Sequence, residues 1–149
     1  MKIYFAGPLF SQAEKEFNER LAAKLEGHGL EVFLPQRDGV ESHKEPYSSM
    51  PKEERRKELF ELDARKIQES EVFLFILDGR VPDEGACVEL GIAYTSRKIH
   101  GNKMVIIGLH TDSRAAFMGS KLNPMVRVPM DYIAENEEEL ISYLSKTGI

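Results

Sequence analysis

Short apolar runs alternate along this chain with longer segments in which apolar residues recur every three or four positions. Five runs that are closed by Gly, Pro or polar residues predict strands, at positions 2–6, 30–34, 72–77, 104–108 and 130–134. The run at 72–77 is apolar throughout, which is typical of a strand buried on both faces. Strands that alternate with helices favour the α/β class. We therefore expect one doubly wound, flavodoxin-like domain over residues 1–149, with a five-stranded parallel sheet flanked by helices.

The segments between the strands carry helix signals. Ser11 and Glu14 form a capping-box pattern ahead of a helix that should stop at Gly27. Pro51 suits the first turn of a second helix, and a third should end near Gly101. The second helix has an apolar stripe at Phe60, Ala64 and Ile67, and the last, capped by Asn136, has one at Leu140, Ile141 and Leu144. Polar residues predict a long loop at 36–50, and 109–128 should be irregular or partly helical.

Composition excludes several classes of function. The chain has a net charge of -5 and no basic cluster with interleaved aromatics, so we expect no nucleic-acid partner. One cysteine and four scattered histidines predict neither an internal disulfide nor a metal site. The sequence contains no Gly-rich phosphate loop, so we expect no cofactor. No apolar run could span a bilayer and no signal peptide precedes Met1, so we predict a cytoplasmic protein without a membrane partner.

Two carboxylates interrupt predicted apolar helix faces. Glu89 lies three residues after Ala86 and four before Ala93, and Asp63 lies four before Ile67. A carboxylate in such a place is costly unless it is paired or used in chemistry. Glu89 is either a carboxylate at the stripe's edge that reaches water or a nucleophile or general acid/base. Asp63 either pairs with the neighbouring Lys66 or Arg65 or has a functional role of its own.

Other candidates gather at the carboxyl ends of the predicted strands, where open α/β sheets bind their ligands. Asp83 starts a helix as its N-cap, a role that leaves one oxygen available for a ligand hydroxyl. Tyr4 lies in the first strand, where core packing is the simpler interpretation, and Gly7 and Gly85 lie at the same edge. Three carboxylates without metal ligands suggest chemistry at a sugar carbon, since glycosidic cleavage needs a carboxylate nucleophile and a proton donor.

The same residues resemble those of a known family. Residues 4–10, Tyr-Phe-Ala-Gly-Pro-Leu-Phe, are similar to the opening of the nucleoside 2-deoxyribosyltransferases. Asp83-Glu84-Gly85, followed by Glu89-Leu90-Gly91, resembles their central signature, and Asp63 stands where that family carries its acid/base aspartate. The segment 123–126, Asn-Pro-Met-Val, resembles a late family motif. The match covers essentially the whole chain, with its elements in the right order.

The resemblance implies a covalent, two-step transfer on a free 2′-deoxynucleoside and a nucleobase. Glu89 would attack the anomeric carbon, Asp63 would handle the proton on each base, and Tyr4 would position Glu89 by a hydrogen bond. Asp83 would hold sugar hydroxyls, with Gly7 and Gly85 at the substrate-binding edge. Asn123 would come from a neighbouring subunit and close the pocket at the 5′-hydroxyl. The active unit would then be a homo-oligomer, at least a dimer.

Two alternatives remain open. A sister family, the 2′-deoxynucleoside 5′-phosphate N-hydrolases, carries small hydroxyl residues where this chain has Asp83 and Asn123. A carboxylate at position 83 would repel a 5′-phosphate, which favours a free nucleoside. The other alternative is a non-catalytic nucleotide-sensing module that keeps the pocket. Contacts to the base are expected from residues 36–38.

Overall fold

A parallel β-sheet forms the centre of the protein. The computed structural model describes residues 1–40, 43–101, 103–114 and 122–148. Its five parallel strands have the order β2-β1-β3-β4-β5, and they are β1 (Lys2–Ala6), β2 (Glu31–Phe33), β3 (Val72–Ile76), β4 (Val105–Leu109) and β5 (Tyr132–Ala134). This is the flavodoxin-like order of doubly wound sheets, so the predicted fold class is confirmed.

Helices cover both faces of the sheet. They are α1 (Gln12–Gly27), α2 (Pro35–Asp38), α3 (Lys52–Glu69), α4 (Glu84–His100), α5 (Pro124–Arg127) and α6 (Glu137–Thr147). One face packs against α1 and α6, through buried leucines at 21, 25, 140 and 144. The opposite face packs against α3, α4 and α5, through buried residues that include Ile67, Leu90 and Val126. Among the described residues, no helix is long and apolar enough to cross a membrane.

The helix ends follow the local chemistry that the sequence indicates. Ser11 accepts a hydrogen bond from the Glu14 backbone N–H, and the Glu14 carboxylate accepts one from the Ser11 N–H, which confirms the capping box. Gly101 ends α4 in the left-handed conformation. Asn136 caps α6 by accepting from the Glu139 backbone N–H at 2.8 Å. Well-defined helix starts and stops determine where the connecting loops leave the sheet.

Two local predictions were wrong. Residues 36–38 belong to the short helix α2 rather than to a loop, because Pro35 suits the first helical position and the Asp38 carboxylate accepts the Leu34 backbone N–H at 2.9 Å. Phe60 does not continue the buried stripe of α3, since 52% of it is exposed and only Ile67 of that helix is fully buried. Part of the predicted irregular segment, residues 115–121, lies outside the described residues.

The sheet order also locates the crevice in which such folds bind ligands. The chain runs outward from β1 to β2 on one side and from β3 to β4 and β5 on the other. A crevice therefore opens at the carboxyl ends of β1 and β3, where the connections diverge. The turn at Gly7 follows β1, and the loop that leads to Asp83 follows β3.

Candidate active site

A cavity of about 460 Å³ lies at this crevice. Five of the candidate catalytic and sugar-binding residues line it, namely Gly7, Asp63, Asp83, Gly85 and Glu89. A slightly larger depression of about 540 Å³ runs along β2. Ion pairs lie in its wall, with Arg37 on Glu26 at 2.8 Å and Lys66 on Glu69 at 3.0 Å. The cavity at the crevice instead gathers Asp63, Asp83 and Glu89, three carboxyl groups for which the described residues show no ion pair.

Tyr4 links the first strand to the carboxylate of α4. Its hydroxyl donates a hydrogen bond to Oε1 of Glu89 at 2.8 Å. The ring is fully buried and stacks between Phe33, with ring centres 5.6 Å apart, and Phe73, at 5.8 Å. Tyr4 thus combines the two roles considered from the sequence. Its ring packs in the core, and its hydroxyl group holds Glu89.

Burial sets the protonation of the two central carboxyl groups. Loss of solvation raises the pKa of Glu89 to about 7; the Tyr4 hydrogen bond opposes this rise, and the charges of Asp63 and Asp83 add to it. Burial likewise raises the pKa of Asp63 to about 6, against a lowering effect of Tyr4. Lys66 pairs with Glu69 at 3.0 Å, whereas burial and the Tyr4 hydroxyl are what act on the pKa of Asp63. Two carboxyl groups that titrate near neutrality can divide the roles of nucleophile and proton donor.

Asp83 and two glycines shape the wall of the cavity. Asp83 is the N-cap of α4, as predicted, and its carboxylate accepts the Ala86 backbone N–H at 2.9 Å while also lining the cavity. A Cβ on Gly85 would come within 3.2 Å of that carboxylate. Gly7 has a φ of +153°, and a Cβ there would meet the Cβ of Ile76 at 2.8 Å. The backbone at both positions approaches its neighbours in a way that only glycine permits without displacement.

Asn123 lies apart from this group. It is exposed and caps α5 by accepting the Met125 backbone N–H at 2.9 Å. It is not among the described residues that line the cavity of its own chain. A role at the substrate would therefore require a second copy of the chain, and this stays a prediction.

The structure adds wall residues that the sequence reasoning missed. Phe10, Lys15 and Glu19 line the cavity from the start of α1. The signal available was the spacing of 15 and 19, one helical turn apart, directly behind the turn after β1. Of the expected base contacts at 36–38, Gln36 lines the cavity, whereas Arg37 and Asp38 line the depression along β2.

Gln36 is held by a buried amide. Asn18, only 2% exposed, donates to the Pro8 carbonyl at 2.9 Å and to the Gln36 side-chain oxygen at 3.0 Å. These two hydrogen bonds connect the turn after β1 with α2, and so join two sides of the cavity. Within the described part of the chain, no group of three or more His, Cys, Asp or Glu side chains is placed to hold a metal ion.

Comparison with known proteins identifies the family of the chain. The family model for nucleoside 2-deoxyribosyltransferases matches residues 3–142 of the chain. No curated sequence is significantly similar. Among solved structures, the chain resembles a conserved protein of Enterococcus faecalis, with 25% identity, a TM-score of 0.75 and coverage of 99% of this chain and 98% of the other.

Two further structures share the fold. A 2-deoxyribosyltransferase of Bacillus psychrosaccharolyticus is 20% identical, with a TM-score of 0.74 over 94% of this chain and 90% of the other. A CMP N-glycosidase of Clostridium botulinum is 22% identical, with a TM-score of 0.54 over 99% of each chain. Because the family model spans nearly the whole chain, this protein belongs to the nucleoside 2-deoxyribosyltransferase family, whose members act on nucleosides and nucleobases.

Proposed function

We propose that the protein transfers the 2-deoxyribosyl group of a free 2′-deoxynucleoside from one nucleobase to another through a covalent ester on Glu89. The observation that carries this proposal is the hydrogen bond of 2.8 Å between Tyr4 and Glu89, in a cavity that also holds Asp63. A nucleophilic carboxylate must be oriented, and a second carboxyl group must supply a proton to the leaving base. Tyr4 and Asp63 supply these two requirements.

The chemistry follows in two balanced steps. A Glu89 oxygen attacks C1′, the C1′–N bond breaks, and its electron pair goes to the base, which takes up the proton of Asp63. The second base then attacks C1′, the ester bond breaks and returns its electron pair to Glu89, and Asp63 recovers a proton from the incoming base. Each step inverts C1′, so the product retains the original configuration.

The charge of the cavity supports an uncharged substrate. Among the described ionisable side chains that line it, four are acidic and one, Lys15, is basic. The acidic ones are Glu19, Asp63, Asp83 and Glu89. A phosphate within about 4 Å of Asp83 would be repelled by on the order of a few kcal/mol at an effective dielectric near 20. Arg80, the nearest cation in the sequence, is exposed and does not line the cavity.

A mixture of deoxyinosine and adenine tests the proposal. Formation of deoxyadenosine, followed by chromatography, is the expected result. Release of hypoxanthine without deoxyadenosine would identify the protein as a hydrolase. Binding of deoxyinosine without turnover would indicate a non-catalytic sensing module. Glu89→Gln should abolish both products, while Glu84→Gln, an exposed residue of the same helix, should leave them unchanged.

A second candidate is an N-hydrolase that acts on 2′-deoxynucleoside 5′-monophosphates. Lys15 favours it, because this residue lines the cavity and its positive charge attracts a phosphate. The variants Asp83→Asn and Asp83→Ala separate the charge of this residue from its capping role, since Asn caps a helix as well as Asp does. If repulsion excludes phosphates, Asp83→Asn should narrow the preference for nucleosides over monophosphates. A wild-type preference for monophosphates that Lys15→Gln removes would establish the hydrolase instead.

The site is proposed to be completed by a second copy of the chain. Asn123 is exposed on its own subunit, and next to it Met125 and Val128 are 81% and 73% exposed. Two large apolar side chains, one on this short helix and one at its C-cap, favour burial against another surface. The homo-oligomer, with Asn123 entering a neighbour's cavity at the 5′-hydroxyl, is thus part of the proposed active unit.

A further inference from the structure

The hydroxyl of Tyr4 serves two carboxyl groups with one proton. It donates to Glu89 at 2.8 Å, and the Asp63 carboxyl group lines the same cavity as Glu89, near enough to act on the Tyr4 hydroxyl electrostatically. Phe33 and Phe73 hold the ring from both faces, at interplanar angles of 20° and 5°. The oxygen is therefore fixed in place, and only the O–H bond can rotate. Because the hydroxyl has a single proton, it can donate to only one of the two carboxyl groups at a time.

We propose that Tyr4 is a hydrogen-bond switch that donates to Glu89 in the free enzyme and to Asp63 once the deoxyribosyl ester has formed. This inference rests on the proposed function, and it gives Tyr4 a role at the second carboxyl group in addition to orienting the first. Tyr4 acts in both positions as a donor and does not lose its proton.

The movement of charge during the first step supplies the physical reason. Bond formation at C1′ converts the Glu89 carboxylate into a neutral ester. The leaving base takes the Asp63 proton with the electron pair of the broken C1′–N bond, so the negative charge reappears on Asp63. A hydrogen bond to a charged acceptor is roughly twice as strong as one to a neutral acceptor. The Tyr4 proton is therefore drawn from Glu89 to Asp63, and the second step returns it.

The surroundings of Tyr4 keep it protonated throughout. Burial raises the pKa of its hydroxyl far above the ordinary value, and the charges of Glu89 and Asp63 raise it further. One of these two carboxyl groups is negative in each state of the cycle. Tyr4 therefore remains a hydrogen-bond donor throughout, while the negative charge beside it moves between Glu89 and Asp63.

The test combines Tyr4→Phe with Asp63→Asn and a series of 2′-deoxynucleosides whose bases differ in leaving ability. The rate of base release in a single turnover is measured for the wild type, both single variants and the double variant. If Tyr4 also stabilises the developing Asp63 carboxylate, its removal makes Asp63 a weaker acid. Tyr4→Phe should then slow the poorest leaving base at least about tenfold more than the best one. When Asp63→Asn is also present, Tyr4→Phe should slow the release of every base by the same factor.

A role confined to Glu89 gives a different pattern. Tyr4→Phe would then slow every base by the same factor in both backgrounds, and that result would overturn the switch while leaving the proposed function intact. Failure of the wild type to release any base would overturn the proposed function and the switch with it. Tyr94→Phe, on the α4 residue whose ring contacts Arg97, is the matched control and should behave as wild type. Substrate binding by Tyr4→Phe, measured calorimetrically, shows that the variant is folded.

Discussion

At the scale of single residues, Glu89 must be ionised to attack and yet lies where ionisation is disfavoured. Burial raises its pKa, and the hydrogen bond from Tyr4 partly restores the carboxylate. Glu89→Gln keeps the size and the hydrogen-bond acceptor but removes the nucleophile. We expect the transfer rate to fall at least about a thousandfold, which corresponds to ~4 kcal/mol of activation free energy. A rate near that of the wild type would rule Glu89 out as the nucleophile.

The two carboxyl groups should also determine how the rate depends on pH. The pKa values of about 6 for Asp63 and about 7 for Glu89 belong to an interacting pair that carries one proton between them. Below about pH 6 the pair holds two protons and no nucleophile remains, and above about pH 7 it holds none and no acid remains. Between these limits the pair shares one proton, and although the higher pKa of Glu89 favours its protonation, the productive form is the one in which Asp63 holds the proton. We expect a narrow bell in kcat/KM with its maximum near pH 6.5. Asp63→Asn should remove the alkaline limb, and a wild-type rate that stays constant up to pH 9 would contradict this assignment.

Tyr4 shows which part of the site the sequence could not supply. An aromatic residue in a buried strand is typical of a core, and nothing near it in the chain indicates another role. Its partner, Glu89, lies 85 positions away, and the contact depends on how far α4 extends over the sheet. Glu89 and Asp63 could be selected because a carboxylate on an apolar stripe conflicts with its surroundings. Tyr4 satisfies its local pattern, so its position near a strand end made it a candidate, but only the resemblance to a family gave it a role.

At the scale of elements, the strands were predicted to within two residues because their apolar runs are short and clearly bounded. The helix α2 was missed because four residues give no periodicity, and its stability depends on the Asp38 cap and on hydrogen bonds that Gln36 makes to α1. Phe60 was assigned to the core because a helical stripe was assumed to be covered along its whole length. The elements could thus be predicted wherever local pattern and tertiary packing agree.

The turn after β1 depends on Gly7, and we predict its substitution to be costly. In Gly7→Ala the new Cβ would lie 2.8 Å from the Cβ of Ile76, at a φ of +153°. We expect a loss of about 2 kcal/mol or more in the free energy of unfolding, and a larger loss of activity because the turn lines the cavity. Gly27→Ala is the matched control, since no atom lies within 4 Å of its Cβ and alanine favours a helix end by up to about 1 kcal/mol. Equal thermal stability of the two variants would show that the turn is not constrained.

At the scale of the whole molecule, the proposed sharing of the site between subunits predicts complementation. Glu89→Ala and Asn123→Ala should each be inactive alone. In a mixed dimer, one of the two cavities combines an intact Glu89 with an intact Asn123 from the other chain. Random exchange of equal amounts should recover about a quarter of the wild-type activity. Activity that stays absent after exchange, or a fully active monomer in sedimentation, would place the whole site within one chain.

The active site should also lower the stability of the whole protein at neutral pH, and Glu89→Gln can measure this. Burial raises the pKa of Glu89 from 4.5 to about 7 in the folded state. A folded-state pKa above the unfolded one means that the folded protein holds the proton longer. The free energy of unfolding therefore falls as the pH rises between the two values. The lost stability is roughly 3–4 kcal/mol, at ~1.4 kcal/mol for each of about 2.5 units of pKa.

Glutamine does not titrate, so the variant escapes this loss. Relative to the wild type, we expect Glu89→Gln to gain nothing near pH 4.5, to gain progressively up to about pH 7, and to keep a constant gain above that. Urea denaturation at pH 4.5, 6 and 8 measures the difference, with Glu84→Gln on the exposed face of α4 as the control. The gain at pH 8 should accompany the loss of transfer, since a group poised for catalysis is commonly held at the expense of stability. A difference in unfolding free energy that is the same at all three pH values would mean that the Glu89 carboxylate is well solvated, and its place as a buried nucleophile would have to be given up.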